Sequence, residues 1–135
     1  MAQAGLTLIV QTRALDRAHY ALMLAASAAA LDVPTTIFFG IEGVQALTPD
    51  AWDVLETAAG ETSTDYLGRI EAAGVALPED LLEALSELGA RLAVCDTGLA
   101  VAGLGSGDLR DDLDLDVTGL ADVIAAAGDG RIVYV

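Results

Sequence analysis

Cys95 is the only cysteine in the chain, and its position suits a nucleophile. It follows the short apolar run 91–94 and precedes Asp96, Thr97 and Gly98, where the sequence allows a helix to begin. A thiol between a strand and a helix N-terminus faces unpaired backbone N–H groups, which favour the reactive thiolate. A lone cysteine is also commonly a small buried hydrophobic residue, so position alone leaves both interpretations open.

Two acidic residues oppose the effect of the helix N-terminus on Cys95. Glu42 comes two residues after Gly40, at the end of the second predicted strand, and Asp96 directly follows the thiol. Negative charge near a thiol disfavours the thiolate. The sequence does not decide which influence is stronger.

The other residues capable of catalysis or metal binding are few. His19 is the only histidine, and one histidine with one cysteine argues against a structural zinc site. A Cys–His catalytic pair requires His19 to reach Cys95, but its place early in a long helix favours a structural histidine with satisfied hydrogen bonds. The Asp-Leu-Asp-Leu-Asp run 112–116 lacks the glycine and late glutamate of a calcium loop, so we expect no bound metal.

Composition limits the classes of partner. The chain has 135 residues, a net charge of -15 and no lysine, which argues against nucleic acids and anionic membranes. Its most apolar segment, 20–31, is too short to span a bilayer, and residues 1–5 lack the positive charge of a signal peptide. We therefore expect a single cytoplasmic domain over residues 1–135.

Buried strands and helices alternate along the chain, which predicts an α/β fold with a parallel sheet covered on both faces. The expected strands are residues 6–10, 33–39, 91–95 and 131–135, and the longest helix covers 14–31. Ligands of such folds bind beyond the carboxyl ends of the strands. Three segments are expected there: 11–13, 39–43 and 95–98. The predicted ligand-binding residues are Phe39, Gly40, Glu42, Asp96, Thr97 and Gly98.

The helix predicted over 14–31 is apolar around more of its circumference than one face of a sheet can cover. This pattern favours contact between copies of the chain. We therefore expect a homo-oligomer.

Four stretches of the sequence resemble the DsrE/DsrF-like sulfur-relay family, which includes the TusD-type proteins. They are residues 16–31, 36–47, 88–99 and 117–124, in the order found in that family. The most specific feature is the cysteine that ends the strand Gly-Ala-Arg-Leu-Ala-Val-Cys, residues 89–95.

The resemblance implies a three-layer α/β/α fold, flavodoxin-like in appearance, with a five-stranded and mostly parallel sheet. It implies homotrimers or homohexamers, and it matches Cys95 to the cysteine that holds sulfur as a persulfide. The chain would then be a sulfurtransferase-type carrier between donor and acceptor proteins, with no cofactor. The alternative is a non-catalytic, oligomeric module of the same fold that binds a small ligand or regulates a partner.

Overall fold

Five parallel strands form one sheet in the order β4-β3-β2-β1-β5. The computed structural model describes residues 4–135, so residues 1–3 of the predicted domain lie outside the described residues. The strands are β1 Leu6–Val10, β2 Thr35–Phe39, β3 Arg91–Cys95, β4 Leu115–Thr118 and β5 Arg131–Tyr134. The prediction of a five-stranded α/β fold is confirmed, and every strand pairing is parallel.

Helical segments connect the strands. They are α1 Leu15–Ala30, the 3₁₀ segment Ile41–Leu47, α2 Ala51–Val54, α3 Ser63–Ala72, α4 Pro78–Glu87, α5 Asp96–Ala102, the 3₁₀ turn Ser106–Asp108 and α6 Leu120–Ala127. Helices α1 and α4 pack on each other and on the central strands. The connection from β4 to β5 runs back across the sheet, and a right-handed crossover in that direction places α6 on the opposite face.

The core lies between the central strands and the α1–α4 layer. Side chains from alternate positions of β1 and β2 point into it, and Leu8, Val10, Ile37 and Phe39 are fully buried. Helix α4 begins at Pro78, and the Asp80 carboxylate accepts the backbone N–H of Leu77 just before it. This cap pairs an N–H group that the helix itself leaves free.

The structure shortens the second predicted strand and adds β4, which was not among the four strands expected by residue number. The second strand begins at Thr35 rather than at residue 33, because Pro34 has no N–H to donate to the sheet, although its carbonyl accepts the N–H of Leu6. The acidic run after residue 108 contributes strand structure only from Leu115, at an edge of the sheet. There Asp116 faces solvent and pairs with Arg91 at 2.6 Å.

Exposed apolar residues concentrate around α6 and β5. Helix α1 buries six of its twelve apolar side chains, and Tyr20 and Leu24 are among those that remain exposed. The larger apolar surface, which we call the α6–β5 surface, comprises Leu120, Ile124, Ile132 and Tyr134, which are 47%, 51%, 46% and 68% exposed. None of the described helices combines the length and apolar character needed to cross a membrane.

Candidate functional site

Cys95 is the last residue of β3 and the N-cap of α5. The backbone N–H of Gly98 donates a hydrogen bond to its Sγ atom at 3.3 Å. The thiol therefore does meet a backbone donor in the first turn of a helix, as the sequence predicts. Cys95 is only 6% exposed, so in the single chain the thiol is covered rather than open to solvent.

Gly98 allows the helix to lie close enough for this hydrogen bond. A Cβ atom at position 98 would stand 2.7 Å from the Ile41 backbone nitrogen and 2.9 Å from Val44 Cγ1. Such distances are well inside van der Waals contact, so any side chain would push α5 away from the 3₁₀ segment. The thiol is therefore covered by close packing that depends on glycine.

Only some of the predicted ligand-binding residues lie next to Cys95. The strand register pairs Cys95 with Thr118 of β4. On the other side, Phe39 of β2 pairs with Val94, so Gly40 lies one residue further along the chain, past the end of that pairing. Asp96 and Thr97 are exposed at the start of α5. The Asp96 carboxylate accepts the Thr97 N–H at 2.6 Å, which leaves that donor unavailable to the sulfur atom.

Phe39 and Glu42 do not lie beside the thiol. Phe39 pairs with Val94, and successive strand residues point to opposite faces, so its fully buried ring lies across the sheet from Cys95. Phe38 occupies the face on which Cys95 lies, and it is also buried. Glu42 turns toward Arg13, with 3.5 Å between Oε2 and Nη1.

His19 is a structural histidine, as the sequence favours. It is 1% exposed, its Nδ1 lies 2.8 Å from the Tyr66 hydroxyl, and its Nε2 lies 2.8 Å from the Ala76 carbonyl oxygen. Because the carbonyl only accepts, Nε2 carries the proton and Nδ1 accepts from Tyr66 in the neutral ring. Burial raises the pKa of Tyr66, and the nearby Asp16 carboxylate adds to that shift. Both ring nitrogens are engaged away from Cys95, so the structure forms no Cys–His pair.

A second feature opens at the carboxyl ends of β1 and β5. It is a cavity of about 1020 Å³, which we call the arginine pocket. Its polar walls come from residues 11–13, Arg17, Glu42, Gln45 and residues 56–57, and its apolar walls come from Ala14, Val54, Leu55, Ala58, Tyr134 and Val135. Cys95 is not part of it.

The comparisons with known proteins agree with this architecture. Residues 5–134 match the DsrE/DsrF-like family. The chain belongs to the DsrE/DsrF-like family. Since the match spans almost the whole sequence, Cys95 and the arginine pocket both lie within the family domain.

One solved structure similar to this DsrE/DsrF-like chain is a protein of unknown function, MTH1491, from Methanobacterium thermoautotrophicum. The two share 16% identity with a TM-score of 0.58, over 98% of this chain and 100% of the other. At that identity the likeness establishes the shared fold alone. The search of curated proteins found no significant match.

Sequence reasoning predicted part of the arginine pocket. It placed 11–13 at the carboxyl edge of the sheet, where that segment does line the cavity. It missed Arg17, which lies in the first turn of α1, and Tyr134, which lies in β5, because both are outside the three segments expected at that edge. Within residues 4–135, no group of three or more His, Cys, Asp or Glu side chains is arranged to hold a metal ion.

Proposed function

We propose that this chain is a sulfur carrier, which accepts persulfide sulfur on Cys95 from a donor protein and passes it to an acceptor. The observation that supports this most directly is the Gly98 N–H, which donates to Cys95 Sγ at 3.3 Å. A backbone donor in that position stabilises negative charge on sulfur. Membership in a family generally linked to sulfur relay agrees with this chemistry.

The transfer is a pair of thiolate exchanges. The Cys95 thiolate attacks the outer sulfur of a donor persulfide, the donor's S–S bond breaks, and the donor leaves as a thiolate. Cys95 now holds the persulfide anion. An acceptor thiolate attacks the outer sulfur, and breakage of the second S–S bond restores the Cys95 thiolate. No net oxidation occurs, so the exchange needs no further oxidant or reductant.

The burial of Cys95 adds a requirement to this mechanism. A second protein's persulfide cannot reach a residue that is 6% exposed unless the packing above it opens. The first turn of α5 packs closely on the 3₁₀ segment, where a Cβ at position 98 would lie 2.7 Å from the Ile41 backbone nitrogen. Loading therefore includes a local opening of the contact between α5 and the 3₁₀ segment.

We also propose that the carrier works as a homo-oligomer, a trimer or a hexamer. The α6–β5 surface supports this, because Leu120, Ile124 and Ile132 are each about half exposed. Burying such a surface against a second copy removes apolar area from water. Helix α1 also leaves Tyr20 and Leu24 exposed, so it offers a second apolar surface for assembly.

One preparation tests both proposals. After incubation with inorganic polysulfide and removal of excess reagent, the denatured chain should gain about 32 Da for each sulfur atom bound. The Cys95→Ser variant should fold normally and gain nothing. Native mass spectrometry of the same sample should show a multiple of the 13.8 kDa chain.

A control variant shows whether the persulfide is stabilised specifically at Cys95 or equally well at any accessible thiol. The double variant Cys95→Ser with Ser27→Cys moves the thiol to an exposed position on α1. Its persulfide should decay faster than that of the wild type, because no backbone donor holds it. Cys95 is a packing residue if the folded wild type gains no mass while the unfolded chain does.

A further inference from the structure

The arginine pocket is separate from the sulfur site. It lies at the ends of β1 and β5, whereas Cys95 ends β3, and β2 runs between β1 and β3. At ordinary strand spacing the β1 and β3 axes are about 10 Å apart. The side chain of Glu42, which sequence analysis assigned to the thiol, lines this pocket instead.

The pocket occupies the position in the sheet where an α/β fold binds ligands. From β1 the chain steps through β2 and β3 to β4, and it then returns across the whole sheet to β5, beside β1. The gap between β1 and β5 is therefore the point at which the direction of winding reverses. In open α/β sheets, crevices at such a point beyond the carboxyl ends of the strands are the usual ligand sites.

Two arginine residues that form no ion pair shorter than 3.5 Å with any described residue line this pocket. Arg69, Arg91 and Arg110 form ion pairs of 2.6 to 2.7 Å elsewhere in the chain. Within residues 4–135, Arg17 has no carboxylate within 4.0 Å, and Arg13 has only the 3.5 Å contact with Glu42. Arg13 and Arg17 both line this cavity, and a guanidinium group can form paired hydrogen bonds with a carboxylate or a phosphate.

The remaining walls limit what the ligand can be. Glu42 and Glu56 also line the pocket, so its formal charges cancel, and a ligand with several negative charges would be repelled. Val54, Leu55 and the Tyr134 ring supply apolar surface for an organic body, and the Tyr134 hydroxyl donates to the Gln11 side-chain oxygen. The volume of about 1020 Å³ is at the upper end of the usual range for small-molecule sites.

We propose that the arginine pocket binds a small organic molecule with a single oxyanion group, which Arg13 and Arg17 hold while its apolar part lies against residues 54–58. This site goes beyond sulfur transfer and does not depend on it. In a chain of net charge -15, it is a place where a small monoanion meets two guanidinium groups, of which Arg13 has only the 3.5 Å contact with Glu42.

The test uses three probes of similar shape: benzoate, methyl phenyl phosphate (a phosphodiester with a single negative charge) and benzamide. Each is titrated into the ¹⁵N-labelled full chain at constant ionic strength, and amide shifts are followed by NMR. Benzoate and methyl phenyl phosphate should shift amides of residues 11–17 and 54–58, and comparing the two shows whether a carboxylate or a phosphate is preferred. Benzamide lacks the charge and should bind at least about tenfold more weakly.

Matched charge variants decide whether binding is specific. Arg17→Gln should weaken benzoate binding at least about tenfold. Arg131→Gln removes the same charge at the amino end of β5, away from the pocket, and should leave binding unchanged. Equal weakening by both variants, or no shift at residues 11–17 with either anion, would overturn the proposal. Cys95→Ser should bind benzoate like the wild type, so a failure of sulfur loading and a failure of this site remain distinguishable.

Discussion

The carboxyl edge of the sheet contains two regions built in opposite ways. At the end of β3, close packing between α5 and the 3₁₀ segment covers a thiol that is 6% exposed. At the ends of β1 and β5, a cavity of about 1020 Å³ leaves exposed arginine side chains facing solvent. The centre of the sheet is covered by its own connections, while β5 is an edge strand with a neighbour on one side only.

Because of this difference, the two regions are reached from solvent in different ways. A small molecule can enter the arginine pocket without any rearrangement of the chain. A partner can reach Cys95 only after local opening, so the free energy of that opening limits how fast the thiol reacts. A single domain can thus keep a reactive group protected beside an open binding region.

The largest expected effect comes from disturbing the covered region at Gly98. Gly98→Ala places a methyl group 2.7 Å from the Ile41 backbone nitrogen, and overpacking against backbone should lower the free energy of unfolding by about 2 kcal/mol. Urea denaturation measures the change. Benzoate binding in the arginine pocket should be unaffected, because the two regions are separated by β2.

Gly68→Ala provides the matched control. Gly68 lies within α3, and a Cβ there meets nothing within 4 Å, so alanine should raise stability by about 0.5 to 1 kcal/mol. If Gly98→Ala were as stable as the wild type, the contact between α5 and the 3₁₀ segment would have to be adjustable rather than rigid.

A medium effect is expected in the accessibility of Cys95. Alkylation of the folded chain by iodoacetamide should be at least about tenfold slower than alkylation of the unfolded chain, since each 1.4 kcal/mol of opening free energy slows the reaction tenfold. Mass spectrometry follows the modified fraction over time. Gly98→Ala should speed the reaction and Arg17→Gln should not. Equal rates for folded and unfolded chains would show that the thiol is open.

The sequence was sufficient to predict where the central strands lie. It was not sufficient to predict to which face of the sheet each of their side chains points. β1 and β3 have the predicted bounds because each is a short, mostly buried run that a polar residue, Gln11 or Asp96, follows directly. Phe38 and Phe39 are both apolar, and only the register with β3 shows that Phe38 shares the face of Cys95. A pattern of residue types cannot supply that register.

The arginine pocket shows a second limit of sequence reasoning. Residues 11–13 follow directly from the end of β1, and they were predicted at this edge. Residues 54–58 and Tyr134, which also line the pocket, are distant in the chain from Arg13 and from each other. The approach of 54–58 depends on tertiary contacts with α1, where the Leu15 N–H donates to the Glu56 carbonyl and the Ala58 N–H donates to the Asp16 carboxylate.

The smallest expected effect concerns the ion pairs that hold the far end of the 3₁₀ segment, between the two regions. The backbone N–H of Arg110 donates to the Leu47 carbonyl, and its guanidinium pairs with Asp112 and Glu79, each at 2.7 Å. The hydrogen bond from Arg110 lowers the pKa of the Asp112 carboxyl. Because the folded pKa lies below the unfolded value near 4, the stabilisation is present above about pH 4 and is lost as pH falls through the folded pKa.

Asp112→Asn should therefore lower the free energy of unfolding at pH 7 by less than about 1 kcal/mol, since the Asp112 side chain is 58% exposed and solvent screens the pair. The difference from the wild type should shrink below pH 4, where the wild-type carboxyl becomes protonated. Asp111→Asn is the control, because Asp111 is exposed and has no ion pair within residues 4–135. Urea denaturation at several pH values measures both variants. A difference for Asp112→Asn that stayed constant from pH 7 to pH 3 would mean that the Arg110 pair does not stabilise the segment between the two regions.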